Sequence, residues 1–459
     1  MIKSTKIGVQ RVNGAWAAVA AALIVSALHF GMGANNLGLS LLAAALEAGF
    51  LAVLVWRDWA IAALRERAAI VICFTSLFGL LVVVAVVPLL VDSGPVWFRG
   101  LFPGAQASID RQATFVEILK LLALGCLFVA GLAIGSSLRR CRIMLTWLIY
   151  LAAGLAIFGY AIAAVWPDRT LSLQGIANHG RFTATFVSAN TAGTLFGCMA
   201  MLVGGFLLPR GARTSRRTLL DRRPVATAFL LLFILGLMTT ASRMAVAVSF
   251  PVAAAVLLVR GKRLGGAAAR LNPVVVGCGA MFALLTLLAV FGSGLIARLP
   301  DLANDLGYRL RLMQVHYAFF LERPWFGWGM GSFHTLNNRA TGAADFKLLY
   351  DVGAAHNVYI QWLSQAGSLG AGLMAAIFLL ALVLVARGAA KRGEAGNHLA
   401  AILAVGLFFA LQGLSDYALE VPSMSAMLAL LLGSGVGLAT RTSLENDTVV
   451  PLRGRPLPA

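Results

Sequence analysis

The chain has 459 residues, of which 60% are hydrophobic and 12% charged, with 37 basic side chains against 18 acidic ones. Soluble domains run at about 45–50% apolar and about 25% charged, so an ordinary soluble protein is excluded. The net charge of +19 would suit a nucleic-acid binder. The basic residues, however, are spread over short segments between apolar runs, which is the positive-inside pattern of a membrane protein, and no nucleic-acid partner is expected.

Apolar runs near 20 residues recur along the sequence, and each is long enough to cross a ~30 Å hydrocarbon core as a helix. Continuous runs, rather than alternating polarity, exclude a β-barrel. The expected fold class is an all-α polytopic membrane protein with about 12 transmembrane helices. The spans fall at roughly 14–34, 37–56, 68–91, 113–135, 143–166, 187–208, 225–241, 244–260, 273–295, 358–386, 399–414 and 422–440. They form a single transmembrane domain over 1–440, followed by a polar cytoplasmic tail at 441–459. Residues 1–12 carry Lys3, Lys6 and Arg11 ahead of the first run and read as an uncleaved anchor. With the N-terminus inside, every internal segment holds at least three basic residues, so both termini are expected in the cytoplasm. The five cysteines lie in apolar spans or at a basic turn, and no disulfide framework is implied. The six histidines lack metal-ligand spacing, and no metal or other cofactor is expected.

The external segments are the informative ones. Residues 92–112 include Trp97 and Phe98 and have the look of an interfacial segment. Residues 167–186 carry Asp168, Arg169, His179 and Arg181. Spans seven and eight are joined by almost nothing, which puts Ser242 and Arg243 near the outer end of a tight hairpin. The largest segment is a periplasmic loop at about 297–357, between the ninth and tenth spans. Within it Leu306, Leu310, Met313, Tyr317 and Phe320 recur at helical spacing as one apolar stripe. Arg309 and Arg311 point about 200° apart, whereas Arg309 and His316 share a face; a solvated face of an interfacial helix accounts for these residues equally. Gly327, Gly329 and Gly331 alternate with bulky residues, implying a turn packed tightly against something. His356 and Asn357 then precede the amphipathic run at 358–363.

Arg243 has apolar sequence on both sides and costs a few kcal/mol unless paired or near water. Snorkelling to the interface relieves that cost; so does an anion, since a guanidinium fork matches phosphate oxygens. Arg181, with Asn190 in the following span, and Arg309 lie at the same outer level and would suit a diphosphate. His356 is the natural general base, with an unperturbed pKa of about 6.5. The alternative is a helix cap or polar contact, and His179, His316 and His334 compete for the role. Asp416 and Glu420, four apart, share a face if helical; they would orient a sugar hydroxyl or pair with an arginine, or else are solvated loop acids. Glu47, Glu117 and Lys120 are the only charged groups deep in the apolar spans, and the last two can pair locally. No P-loop, dinucleotide fingerprint, nucleophile elbow or metal motif occurs.

The sequence resembles the O-antigen ligase and polymerase family of bacterial membrane glycosyltransferases. The pieces that carry the likeness are GRFTATFVSANTAGTLFG from Gly180, TTASRMAVA from Thr239, YRLRLMQVHYAFFLERPWFGWGMGSF from Tyr308, AHNVYIQWLSQAGSLG from Ala355 and GLSDYALEVPSM from Gly413. With the spans between and after them, they cover about 180–437. The resemblance implies a GT-C-like fold in a bacterial inner membrane, with a large periplasmic loop. It also implies transfer of a glycan from undecaprenyl diphosphate to an acceptor sugar hydroxyl, without nucleotide sugar or metal. Carried over by position, Arg181 and Arg243 bind the diphosphate, Arg309 joins them and His356 activates the acceptor. Arg311, Asn190, Asn357 and Asp416 are further substrate-binding candidates. Met313 stands where many relatives carry tryptophan, while Gly367 and Gly370 keep the family's Gly-x-x-Gly. The expected function is a repeat-unit polymerase, with a ligase acting on lipid A-core as the alternative. A transporter of lipid-linked glycan is more remote, because the functional-looking residues cluster at the outer face.

Overall fold

A computed structural model describes residues 14–92, 100–102, 104–165, 181–208, 220, 222–264, 302–342, 346–350, 352–391 and 393–441. The expected ninth span at 273–295, the anchor segment before Gly14, Trp97, Phe98, His179 and the tail after Arg441 lie outside them. Every long element among the described residues is a helix, and none is a strand. In sequence order the helices are α1 (Ala15–Phe30), α2 (Leu37–Val55), α3 (Asp58–Arg65), α4 (Ala68–Leu90), α5 (Arg111–Gly135), α6 (Leu138–Val165), α7 (Ala189–Leu207), α8 (Arg223–Thr239) and α9 (Arg243–Leu264). After them come α10 (Leu302–Glu322), α11 (Phe333–Ala340), α12 (Val358–Ala389), α13 (Glu394–Gln412) and α14 (Pro422–Ala439).

Eight of these are long and apolar enough to cross a membrane, namely α2, α4, α5, α6, α7, α12, α13 and α14. The shorter apolar helices α1, α8 and α9 coincide with three more of the expected spans. The protein is a polytopic membrane protein. In hydrocarbon only structures that satisfy their own backbone persist, and continuous apolar helices do so. Their starts carry the residues such ends need: Asn36 accepts from the Leu39 N–H at 2.8 Å, Asp110 from Ala113 at 2.9 Å and Ser188 from Asn190 at 3.2 Å.

The most enclosed long helix is α14, which lies along α5. The two approach through Gly131 and Gly135 on one side and Gly433 and Gly437 on the other; an added Cβ at any of them would run into the opposite backbone. Small residues allow such close approach where burial from water supplies no drive between helices.

Basic residues gather at one end of the bundle. Arg260 donates to the carbonyls of Ala389 (2.8 Å), Lys391 (2.5 Å) and Gly393 (2.7 Å) and to Asn397 Oδ1 (2.9 Å), and so caps the end of α12. Arg142 pairs with Glu394 at 2.8 Å, Lys391 reaches the Ala439 carbonyl and Arg140 lies over the Trp59 ring. The chain alternates direction from there. The opposite end therefore collects the starts of α7, α9, α12 and α14 and the ends of α8 and α13.

At that opposite end the glycine turn locks the loop onto α12. Gly327, Gly329 and Gly331 all have positive φ (66°, 102° and 76°), and Gly367 breaks α12 with φ 62°. The break frees the Ser364 and Gln365 carbonyls, which accept the N–H groups of Trp328 (3.0 Å) and Gly329 (2.9 Å). In return the Ser368 N–H donates to Pro324 (2.7 Å). The tight turn expected from the alternating glycines is present, and its partner is an interrupted membrane helix.

Two sequence expectations are corrected here. The buried line of α10 is Leu312, His316 and Phe319, whereas Leu306, Leu310 and Tyr317 of the expected stripe are exposed. Asp416 and Glu420 do not share a helical face, because residues 413–417 form a turn and a non-helical stretch before a single 3-10 turn at Ala418–Glu420.

Candidate functional site

Three separate segments bring arginines to the bundle end opposite the basic cluster. Arg181 is fixed by its neighbours: Phe182 stacks on Tyr160 at 4.2 Å, the Phe182 N–H donates to Thr239, and Thr185 donates to the His29 carbonyl. Its guanidinium donates to the Thr240 carbonyl (2.9 Å) and to Asn190 Oδ1 (2.7 Å). Arg243 opens α9 with only three residues between it and the end of α8, as the short hairpin implied. Arg309 on α10 donates to the Ser415 carbonyl at 2.5 Å.

Arg243 and Arg309 face a cavity of about 280 Å³ together with Asn190, Ser242, Gln412 and Asp416. Its other side is apolar, formed by Met244, Leu306, Leu310, Met313 and Leu414. Several of these are exposed, Leu306 at 54% and Leu414 at 53%. Among the helices that start at this end, α7, α9 and α12 bring the positive ends of their dipoles here, which favours an anion. Asp416 is 1% exposed. Burial pushes its carboxyl up to about 6, against the pull of the Tyr417 backbone N–H, Arg309, Gln412 and Arg181.

Neither His356 nor Asn357 lines this cavity, but Asn357 contacts Met313 and Leu414, which do, and His356 packs on Tyr417 beside Asp416. Asn357 is the cap: its Oδ1 accepts from Tyr359 and Ile360 at 3.0 Å, and its Nδ2 donates to Leu414 at 3.0 Å and touches the Met313 sulfur. His356 is not the cap. It sits with φ 53° and its ring meets Tyr417 edge-on at 5.1 Å, next to Asp416. Of five non-glycine residues with positive φ among those described, three flank the site: Ala184, Ala241 and His356. Such strain persists only where the surroundings impose it, and it gathers at functional sites. Nothing in the bare sequence signals it.

The remaining candidates separate. Arg311 is exposed and does not line the cavity. His316 is fully buried between Phe333 (4.4 Å) and Phe319 (5.9 Å) and does not line the cavity that Arg309 faces. Burial drives its imidazole down to about 4, with the Asn337 side chain pulling the other way. His334 is exposed on α11. Glu420 faces a different cavity, with Glu117, Lys120 and Glu47. Glu117 and Lys120 pair at 2.5 Å, as their spacing implied. The aromatic packing of α10 and the second cavity are both products of tertiary contact that spacing alone did not reveal.

Residues 228–375 match the O-antigen ligase family. That match covers less than half of the chain. It contains Arg243, Arg309, the glycine turn, His356 and Asn357, while Asn190 and Asp416 join the cavity from outside it and Arg181 holds Asn190. No curated protein matches the chain. The matched family is one of glycosyltransferase-like enzymes of ligase or polymerase type.

Proposed function

We propose that the protein transfers a glycan from undecaprenyl diphosphate to a sugar hydroxyl, as a polysaccharide repeat-unit polymerase, at the periplasmic end of an inner-membrane bundle. One observation carries this reading: Arg243 and Arg309, from helices distant in sequence, share a single cavity with Asn190, which Arg181 holds, beside His356. The exposed apolar flank at Met244, Leu306, Leu310 and Leu414 suits a polyprenyl chain entering from the bilayer. The basic cluster around Arg260 and Lys391 supports placing the far end in the cytoplasm, and both termini with it.

In this reaction the acceptor oxygen attacks the anomeric carbon, and the bond from that carbon to the diphosphate breaks. The leaving undecaprenyl diphosphate takes the electron pair, and Arg243 and Arg309 stabilise its charge. His356 takes the hydroxyl proton. Losing one charge-stabilising donor costs about 10²–10³-fold in rate, and losing a general base about 10²–10⁴-fold. Arg181 supports the site by orienting Asn190. Asn357 holds the start of α12, and with it His356, against the 413–417 segment.

The test is to supply the purified protein, in lipid nanodiscs, with carrier-linked repeat units alone. A ladder of products is expected, abolished by His356→Ala and by Arg243→Ala while both variants insert normally. Product from both variants rejects the mechanism. A single transfer that needs lipid A-core converts the reading to a ligase, and glycolipid crossing without a new glycosidic bond converts it to a transporter. The absence of a large external recognition domain among the described residues supports the polymerase.

A further inference from the structure

A third cavity, of about 420 Å³, lies between α8 and α9 in the half of the bundle nearer the basic cluster. The two helices leave a tight hairpin between Thr239 and Arg243 and then part. From there α8 packs on α7 and α9 on α13, and α8 and α9 scarcely touch each other. The gap is floored by Ala200 and Gly204 on α7 and by Ala401 and Ala404 on α13. Leu230 and Ile234 of α8 and Phe250 and Ala253 of α9 line its two sides, each of them half-buried. Apart from Ser249, every lining residue is apolar.

Close helix packing does not account for this gap. Gly197 and Gly205 must be small, because a Cβ there would press on Phe408 and Ala401, but a Cβ at Gly204 meets nothing within 4 Å. Glycine is a poor helix former, so what Gly204 provides is space. Empty space forfeits the dispersion contacts of every side chain around it, and packing is what holds helices together in hydrocarbon. A methylene chain entering from the bilayer restores those contacts. Charge then says which chain. Arg223, Leu230, Ile234 and Leu237 recur on one face of α8, so Arg223 stands at the basic end of the line that borders the gap. Arg222 and Arg223 are exposed, and their side chains have no partner among the described residues. In sequence, residues 209–223 hold six arginines and one aspartate. An apolar slot headed by free guanidinium groups at a bilayer surface complements a lipid with a negative head. A zwitterionic lipid offers the same chain, but its own cation is repelled by the same arginines.

We infer that the gap between α8 and α9 binds an anionic phospholipid from the leaflet at the basic end, with one acyl chain along Ala200, Gly204 and Ala401 and its phosphate at Arg222 and Arg223. The bound chain fills the space where the hairpin parts and so braces the two helices whose turn carries Ser242 and Arg243. The site needs neither a glycan nor a diphosphate, and it stands apart from the transfer reaction.

The experiment places the full chain in nanodiscs with photoreactive phosphatidylglycerol or phosphatidylcholine, identical in their chains and reactive in one of them, and maps the cross-links by mass spectrometry. Phosphatidylglycerol is expected to label 197–208, 230–237, 249–256 and 400–404 about tenfold more than phosphatidylcholine. The exposed residues Ile72, Leu80 and Val83 of α4 should be labelled alike by both. Gly204→Leu, which fills the gap, should abolish labelling there, and the double variant Arg222→Gln, Arg223→Gln should bring phosphatidylglycerol down to the level of phosphatidylcholine. Equal labelling of the gap by the two lipids overturns the inference, as does labelling that survives either variant. Stronger labelling of the same peptides by a photoreactive polyprenyl phosphate gives the gap to a carrier lipid and overturns it as well. If Gly204→Leu does not fold, the lipid comparison and the arginine variant, which alters exposed side chains only, still decide. The melting temperature should rise with the fraction of phosphatidylglycerol in the unaltered protein and stay flat in the arginine variant; a flat response in both rejects the brace. None of these readouts requires transfer, so a protein that forms no glycosidic bond leaves this site standing.

Discussion

Arg309 and Arg311 differ by two positions and by everything that matters for binding an anion. Arg309 is half-buried on the cavity wall, whereas Arg311 is exposed. Arg309→Ala should therefore lower transfer about 10²–10³-fold, with Arg309→Lys restoring only part of it because the planar fork is lost. Arg311→Ala should change transfer less than tenfold in the same assay. Asp416 gives the site a pH dependence separable from turnover. Its carboxyl, raised to about 6 by burial, is charged at pH 7.5 and neutral by pH 5, and when charged it competes for Arg309. Binding of a non-hydrolysable diphosphate analogue should therefore strengthen as pH falls through about 6, and Asp416→Asn should flatten that step. Because the folded pKa is raised, the native state gains stability as pH falls through it and loses stability as pH rises. Asp416→Asn should accordingly raise the melting temperature at pH 7.5 and not at pH 4.

At the scale of elements, the site depends on one interlock. The loop bearing Arg309 is tied to α12 where Gly367 interrupts it, and α12 begins at the Asn357 cap beside His356. A Cβ at Gly367 would strike the Trp325 backbone, and its φ of 62° is disfavoured for any side chain. With ψ −173° that backbone region is nearly exclusive to glycine and alone costs about 1–3 kcal/mol for any other residue, and the overlap adds to it. Gly367→Ala should therefore lower the melting temperature and lower transfer together, even though no substrate group lies within its reach. A variant with full transfer and unchanged melting would show that the interlock is dispensable. Asn357→Ala separates the two effects: losing the cap costs about 1 kcal/mol, while transfer should fall further as His356 loses its anchor.

At the scale of the molecule, opposite ends of the bundle do different things. One end carries Arg260 and its four acceptors, closing α12 against the turn into α13; the other carries the arginine cavity. In cells bearing a cysteine-free background, a single cysteine at His334 should react with a membrane-impermeant thiol reagent added outside, and one at Lys391 should not. The reverse pattern would invert the proposed orientation. Arg260→Ala leaves several carbonyls without a partner and should cost at least about 2 kcal/mol, read as lower expression and melting temperature with little effect on the transfer rate of the folded fraction.

Much of this was legible before any coordinates. Continuous apolar runs dictate helices because hydrocarbon offers the backbone no other partner, so the positions of the described spans, the tight α8–α9 hairpin and the Glu117–Lys120 pair follow from one-dimensional spacing. The proposal that the loop holding Gly327 and His356 is the chemical centre rests on polarity and on resemblance. Which residues meet could not be read that way. The convergence of Arg243, Arg309 and Asp416, the burial of His316 and the parting of Asp416 from Glu420 depend on how α10, α12 and the 413–421 segment cross. Periodicity reports a residue's face on its own helix; only packing between helices decides what that face touches.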